Sequence, residues 1–119
     1  DLTSVKEAEK RLTHHSFQYL PIDGDPFFLK GFQKILGLPR EDLILFQTIG
    51  GAGALTLGGE LIKRGIEGAT IYLPDPTWAN HPPLFEKVGL RLESYPYPDH
   101  KGMIKKIETL SEKDVFLLH

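Results

Sequence analysis

The 119-residue chain contains no cysteine, so a disulfide framework and a thiolate metal site are both excluded. It contains no apolar run near the roughly 18 residues that mark a membrane-spanning helix, so no membrane span is expected. An excess of either charge is missing too: 14 Lys and Arg stand against 16 Asp and Glu, for a formal net charge of −2. Without a basic stripe there is no electrostatic footprint for nucleic acid. Internal repeats and low-complexity stretches are absent, and a hydrophobic content of 40% is too high for a disordered segment. What remains is about one small domain, able to bury a core with little margin. The chain opens at Asp1 and stops just past the apolar run Val115 to Leu118. A buried strand ordinarily feeds a further element, so a piece of a longer protein is expected. The lack of Cys accords with a reducing compartment, and a cytoplasmic protein is expected, with an organelle left open because a leader could precede Asp1.

Ser4 and Glu7 form a capping-box signature, and Val5, Ala8 and Leu12 share a face, which predicts a helix over about 4–12. His14 to Ile22 reads as extended or irregular, stopped by Asp23-Gly24. Asp25 followed by Pro26 opens a second helix that carries Phe28, Leu29, Phe32, Ile35 and Leu36 and ends at Gly37. The period then shortens. Leu43 to Ile49 predicts a strand, and Gly50 to Arg64 a helix closed by Gly65. Thr70 to Leu73 predicts a strand, broken by Pro74-Asp75-Pro76. Pro82-Pro83 can only begin a helix, which runs to Val88 and meets Gly89. Leu90 to Tyr95 reads as a strand, Met103 to Leu110 as a helix, and Val115 to Leu118 as a last strand. Strands alternating with helices of this length predict an α/β chain with a parallel sheet. Residues 1–40 would be a helical and extended lead-in, and 41–119 a βαβαβαβ portion.

Three segments carry candidate chemistry. Ile49 to Leu55 (IGGAGAL) places glycines where a strand hands over to a helix. Free N–H groups and the helix dipole favour an anion there, and glycine lets the backbone approach it closely. The same turn also serves as a plain strand-to-helix joint. No Lys-Ser or Lys-Thr follows, so it is no Walker A loop. Read as a dinucleotide fingerprint, it has Thr56 at the third small position and Asp75 beyond the next strand, so a nicotinamide cofactor stays open. The second segment, Asp75 to His81 (DPTWANH), lies past a strand's carboxyl end, where α/β sheets bind ligands. Trp78, the only tryptophan, sits in a polar loop where it could stack on a planar ring or fold back on the core. His81 could titrate or hydrogen-bond beside a cofactor. The third, Tyr19 to Gly24 (YLPIDG), offers a phenol that could donate to a phosphate or simply pack. His14 and His15 point to opposite faces of an extended chain with no carboxylate at ligand spacing, so no metal site is expected.

YLPIDG, QTIGGAGAL, PDPTWANH and the closing VFLLH, in this order and spacing, resemble the blocks of class I aminotransferases of the aspartate/aromatic subgroup, along essentially the whole chain. The resemblance implies part of the large domain of a fold type I enzyme dependent on pyridoxal 5′-phosphate (PLP), a three-layer αβα structure on a parallel sheet. It implies amino-group transfer between an aspartate or aromatic amino acid and a 2-oxo acid, in a homodimer. Gly50, Gly51 and Ala52 match the family's phosphate-binding turn. Trp78 matches the tryptophan that stacks on the pyridine ring and borders the substrate. His81 matches the histidine that supports the aspartate at the pyridine nitrogen. Tyr19 matches a tyrosine that reaches the neighbouring subunit's phosphate. The family often has Ser or Thr in the turn, where this chain has Gly50 and Ala52, so the grip should lean on backbone donors and Tyr19. The cofactor lysine, the aspartate at the pyridine nitrogen and the substrate arginines belong beyond His119. No catalytic residue is therefore expected in this segment, and alone it should be inactive. The family's sheet order puts Leu43 to Ile49 at the far side, so the later three strands should form a contiguous parallel patch and the first should rearrange, pair with another copy or sit in a larger assembly. Two alternatives stand beside this: a nicotinamide-dependent oxidoreductase domain, and a non-catalytic interaction module anchored by Tyr19 and Trp78.

Overall fold

The computed structural model describes residues 2–12, 19–37 and 43–118, so His14, His15 and His119 lie outside the described residues. The chain divides into two compact units, Asp1–Gln47 and Thr48–His119.

The first unit holds two helices, α1 (Thr3–Arg11) and α2 (Pro26–Leu36). The expected capping box is not formed: α1 is capped at Leu2 with no side-chain bond, two residues ahead of Ser4. Ser4 thus lies inside the first turn, where its hydroxyl cannot serve as the cap acceptor. At α2 the signals act as read. Asp25 Oδ1 accepts from Phe27 N at 2.7 Å and Phe28 N at 3.0 Å, Pro26 is the first helical residue, and Gly37 ends the helix at φ 63°. Gly24 is needed for two reasons. Its φ is 114°, and a Cβ there would stand 2.3 Å from Gln47 Cβ.

Leu43 to Ile49, expected as a strand, enters no sheet. Gln47 N instead donates to Asp23 O at 2.8 Å, and the Gln47 side chain accepts from Asp25 N at 2.8 Å. A short apolar run needs a neighbouring strand before it becomes one, and here Gln47 within the run is tied to the Asp23–Asp25 turn.

The second unit alternates helices and strands: α3 (Gly50–Gly65), β1 (Thr70–Asp75), α4 (His81–Val88), β2 (Arg91–Pro96), α5 (His100–Ile107) and β3 (Asp114–Phe116). The strands form a contiguous parallel sheet, as expected of these three, and their order is β2-β1-β3. Register aligns Ile71 with Leu92 and Val115, and Tyr72 with Glu93 and Phe116. Passing from β1 to β2 and then back across β1 to β3 reverses direction, so right-handed crossovers place α4 and α5 on opposite faces. The side chains agree. Ile71 and Leu73 pack with Phe85 and Val88 of α4 and with Leu55 and Ile62 of α3. On the other face, Lys106 Nζ of α5 lies 4.7 Å from the Tyr72 ring centroid, and Tyr95 stacks on Phe116 at 4.0 Å.

Ile71, Phe85 and Tyr95 are at most 2% exposed, and each such side chain contributes roughly 1.5–3 kcal/mol by burial. Stability of this unit therefore centres on β1 and the helices against it. Gly59 lets α3 approach α4, since a Cβ there would meet Phe85 Cδ1 at 3.2 Å. Gly89 closes α4 at φ 86°, donating to Phe85 O and Glu86 O.

Candidate functional site

α3 begins without a side-chain cap, with Ile49 as N-cap and no acidic residue in its first turn. An uncapped helix start leaves its first N–H groups without intrahelical partners. Gly53 N makes the first helical bond, to Ile49 O at 3.3 Å, and Gly50 N donates back to Thr48 O at 3.0 Å. The N–H groups of Gly51 and Ala52 find no acceptor among the described residues. Gly50 has φ 63°, a conformation that favours glycine, and a Cβ at Gly50 or Gly51 would meet nothing within 4 Å. The turn is thus open, rich in donors and free of acidic side chains. Those properties suit a phosphate dianion.

The second part of the site grows from the carboxyl end of β1. Trp78 O accepts from His81 N at 2.9 Å, which closes the loop onto the start of α4. His81 is 5% exposed and shares a 2.7 Å hydrogen bond through Nδ1 with Thr77 Oγ1. Trp78 meets the His81 ring edge-on, with centroids 5.3 Å apart and planes at 84°. The indole is held at one edge yet remains 42% exposed, so it keeps surface on which a planar ring can stack. Because α3 leads into the start of β1 by a short turn, its glycine end lies level with β1's carboxyl end. Gly50 to Ala52 and Trp78 to His81 therefore share one end of the sheet.

The structure brings together Thr77, Trp78 and His81 by direct contact, and Gly50 to Ala52 by topology. Tyr19 belongs to the other unit and is fully exposed. A cavity of about 430 Å³ beside Asp75, Thr77, Pro82 and Glu86 opens next to the tryptophan loop. A larger one, about 560 Å³, is lined by Lys63, Arg91 and neighbours at the strands' amino end, away from these groups. Thr77 and Thr48 were not among the residues singled out from sequence. A hydroxyl four residues before a histidine that opens a helix was the available signal for Thr77.

The family model "Aminotransferase class I and II" matches residues 1–119. The chain belongs to that family. It is 31% identical to a tyrosine aminotransferase of Klebsiella pneumoniae, over 99% of this chain and 34% of that protein. Among solved structures, an aspartate aminotransferase from Saccharomyces cerevisiae cytoplasm superposes with TM-score 0.86 at 32% identity, covering 99% of this chain and 32% of the other. An aromatic-amino-acid aminotransferase from Burkholderia pseudomallei, covalently bound to pyridoxal phosphate, matches with TM-score 0.79 at 30% identity, over 99% and 33%. The chain thus spans about a third of the length of the curated relatives it matches. The parallel sheet with its helices is a partial version of the aminotransferase fold. Neither the nicotinamide reading nor the interaction-module reading draws support from these relatives. Among the described residues no cluster could hold a metal ion, and no helix is long and apolar enough to cross a membrane.

Proposed function

We propose that this aminotransferase chain is a section of the PLP-binding large domain, with residues 1–40 as a lead-in that reaches a second subunit and 41–119 as the cofactor cradle. The parent enzyme would move an amino group between an L-amino acid, aspartate or aromatic, and a 2-oxo acid. The observation that carries this reading is the pairing of an open glycine helix start with a half-exposed, edge-held indole at one end of a parallel sheet.

The residues present fit the cofactor. The main chain of the Gly50–Ala52 turn would take the phosphate, and Trp78 would cover one face of the pyridine ring. His81, fixed by Thr77, would orient the group that faces the ring nitrogen. Tyr19 would donate to the phosphate of the partner subunit. When bound, PLP supplies the electron-withdrawing ring that lets the substrate Cα proton leave. This chain's part is to bind and orient: the turn anchors one end, the indole fixes the plane and shields that face from water, and the buried imidazole holds its partner at a set angle.

The test uses Trp78, the sole tryptophan, as reporter. Pyridoxamine 5′-phosphate, which lacks an aldehyde and so cannot couple to surface lysines, is titrated against the full chain. Saturable quenching by this ligand, with unphosphorylated pyridoxamine far weaker, is expected. Equal response to both ligands, or none, would overturn the reading.

A further inference from the structure

Thr48 and Gly50 close on each other across Ile49. Thr48 Oγ1 donates to Gly50 O at 3.1 Å, while Gly50 N donates to Thr48 O at 3.0 Å. One helical turn on, Thr56 Oγ1 donates to Ala52 O at 2.9 Å. Both threonine hydroxyls flanking the turn are therefore spent on its own carbonyls, and position 52 offers only a methyl group. The donors left for an anion are main-chain N–H groups.

Peptide planarity makes the Thr48 bond consequential. The carbonyl of Gly50 and the N–H of Gly51 belong to one rigid trans unit and point in opposite directions. Fixing Gly50 O toward Thr48 therefore fixes where Gly51 N–H aims. The constraint matters because Gly50, at φ 63° with open space around its Cα, has no side chain of its own to hold that plane. We propose that Thr48 is a positioning residue of the phosphate turn: its hydroxyl locks the Gly50 carbonyl so that the N–H groups of Gly51 and Ala52 grip the phosphate with no hydroxyl from the turn. The inference rests on the cofactor reading above and adds a named residue and a named donor pair to it.

The experiment measures affinities of pyridoxamine 5′-phosphate and of pyridoxamine for the full chain, by Trp78 emission, in wild type, Thr48→Val and Thr48→Ser. Losing the lock should weaken the phosphorylated ligand by roughly five- to tenfold, the scale of one neutral hydrogen bond. Pyridoxamine should be little affected, and Thr48→Ser should bind as wild type. A role confined to folding would lower both ligands alike and shift the melting temperature. A second measurement, independent of whether Thr48→Val folds, follows wild-type amide signals: the Gly51 and Ala52 N–H resonances should move furthest on adding the phosphorylated ligand, and Gly50 less. If wild type prefers the phosphorylated ligand but Thr48→Val keeps that preference, or Gly50 responds most, the positioning role is wrong while the cofactor reading stands. If wild type shows no preference for the phosphorylated ligand, both fall.

Discussion

Two adjacent glycines of α3 allow the packing account to be tested with one methyl group at each. Replacing either Gly58 or Gly59 by Ala in a helix interior gains about 1 kcal/mol from backbone propensity. At Gly58 the new Cβ would meet nothing within 4 Å, so that gain should survive. At Gly59 it would stand 3.2 Å from Phe85 Cδ1 and 3.4 Å from Val88 Cγ2. Phe85 is 2% exposed and Val88 4%, so neither can swing out to solvent to make room. Overfilling a packed core by a methyl group costs roughly 1–3 kcal/mol. Gly58→Ala should therefore stabilise, Gly59→Ala should be neutral to destabilising, and the two should differ by about 1–3 kcal/mol. Urea unfolding, followed by far-ultraviolet circular dichroism, reads this as separate midpoints with unchanged slopes. If Gly59→Ala gained as much as Gly58→Ala, the close approach of α3 to α4 would be refuted.

Removing the Thr77 hydroxyl with Thr77→Val should cost about 1 kcal/mol, since it removes a hydrogen bond to the buried His81, and should shift Trp78 emission; an unchanged melt and spectrum would contradict the pairing. Trp78→Ala should leave thermal stability nearly unchanged, because the indole is half-exposed, yet weaken pyridoxamine 5′-phosphate binding by roughly two- to tenfold in calorimetry. Bonds from Ser111 N at 2.7 Å and Ser111 Oγ at 2.8 Å, the backbone bond foremost, hold the Asp114 carboxyl below its usual range. A depressed folded value means its stabilisation is full above the unfolded value near 3.9 and is lost as pH falls through the lower folded value. Asp114→Asn should therefore lower the melting temperature at neutral pH, with the gap to wild type closing below about pH 4; a pH-independent gap would sink the assignment.

Legibility followed the locality of the signal. Asp25-Pro26 and Gly37 each act through bonds within a few residues, so the bounds of α2 could be read directly. Gly50 and Gly89 were equally plain, because each marks a backbone angle that favours glycine. The start of α5 precedes the Met103 that apolar spacing marks, because the cap decides it: Asp99 accepts from Lys101 N at 3.1 Å and opens the helix at His100. The Ser4-Glu7 pattern is the opposite case: the helix begins at Thr3 with Leu2 as its N-cap, two residues ahead of the expected cap at Ser4. Leu43 to Ile49 departs from the expected strand for a non-local reason. Whether such a run joins a sheet depends on strands distant in sequence. At the site, the turn and Trp78 were visible as residue types in telling places. Thr48 and Thr77 were not, since a threonine's role lies in which carbonyl or ring nitrogen its hydroxyl reaches, and only coordinates carry that.

The central claim, that this chain is a working part of a PLP cradle, is tested most directly by transplanting it. Residues 1–119 replace the matching third of the Klebsiella pneumoniae tyrosine aminotransferase, which contributes everything downstream. The purified chimera is checked for cooperative melting, and its retained cofactor is measured by visible absorbance after gel filtration. The account predicts a coloured protein, and a colourless but equally folded one when Gly51→Val fills the open space before the Gly51 and Ala52 donors. A folded chimera that retains no cofactor, or one that retains it regardless of Gly51→Val, would contradict it.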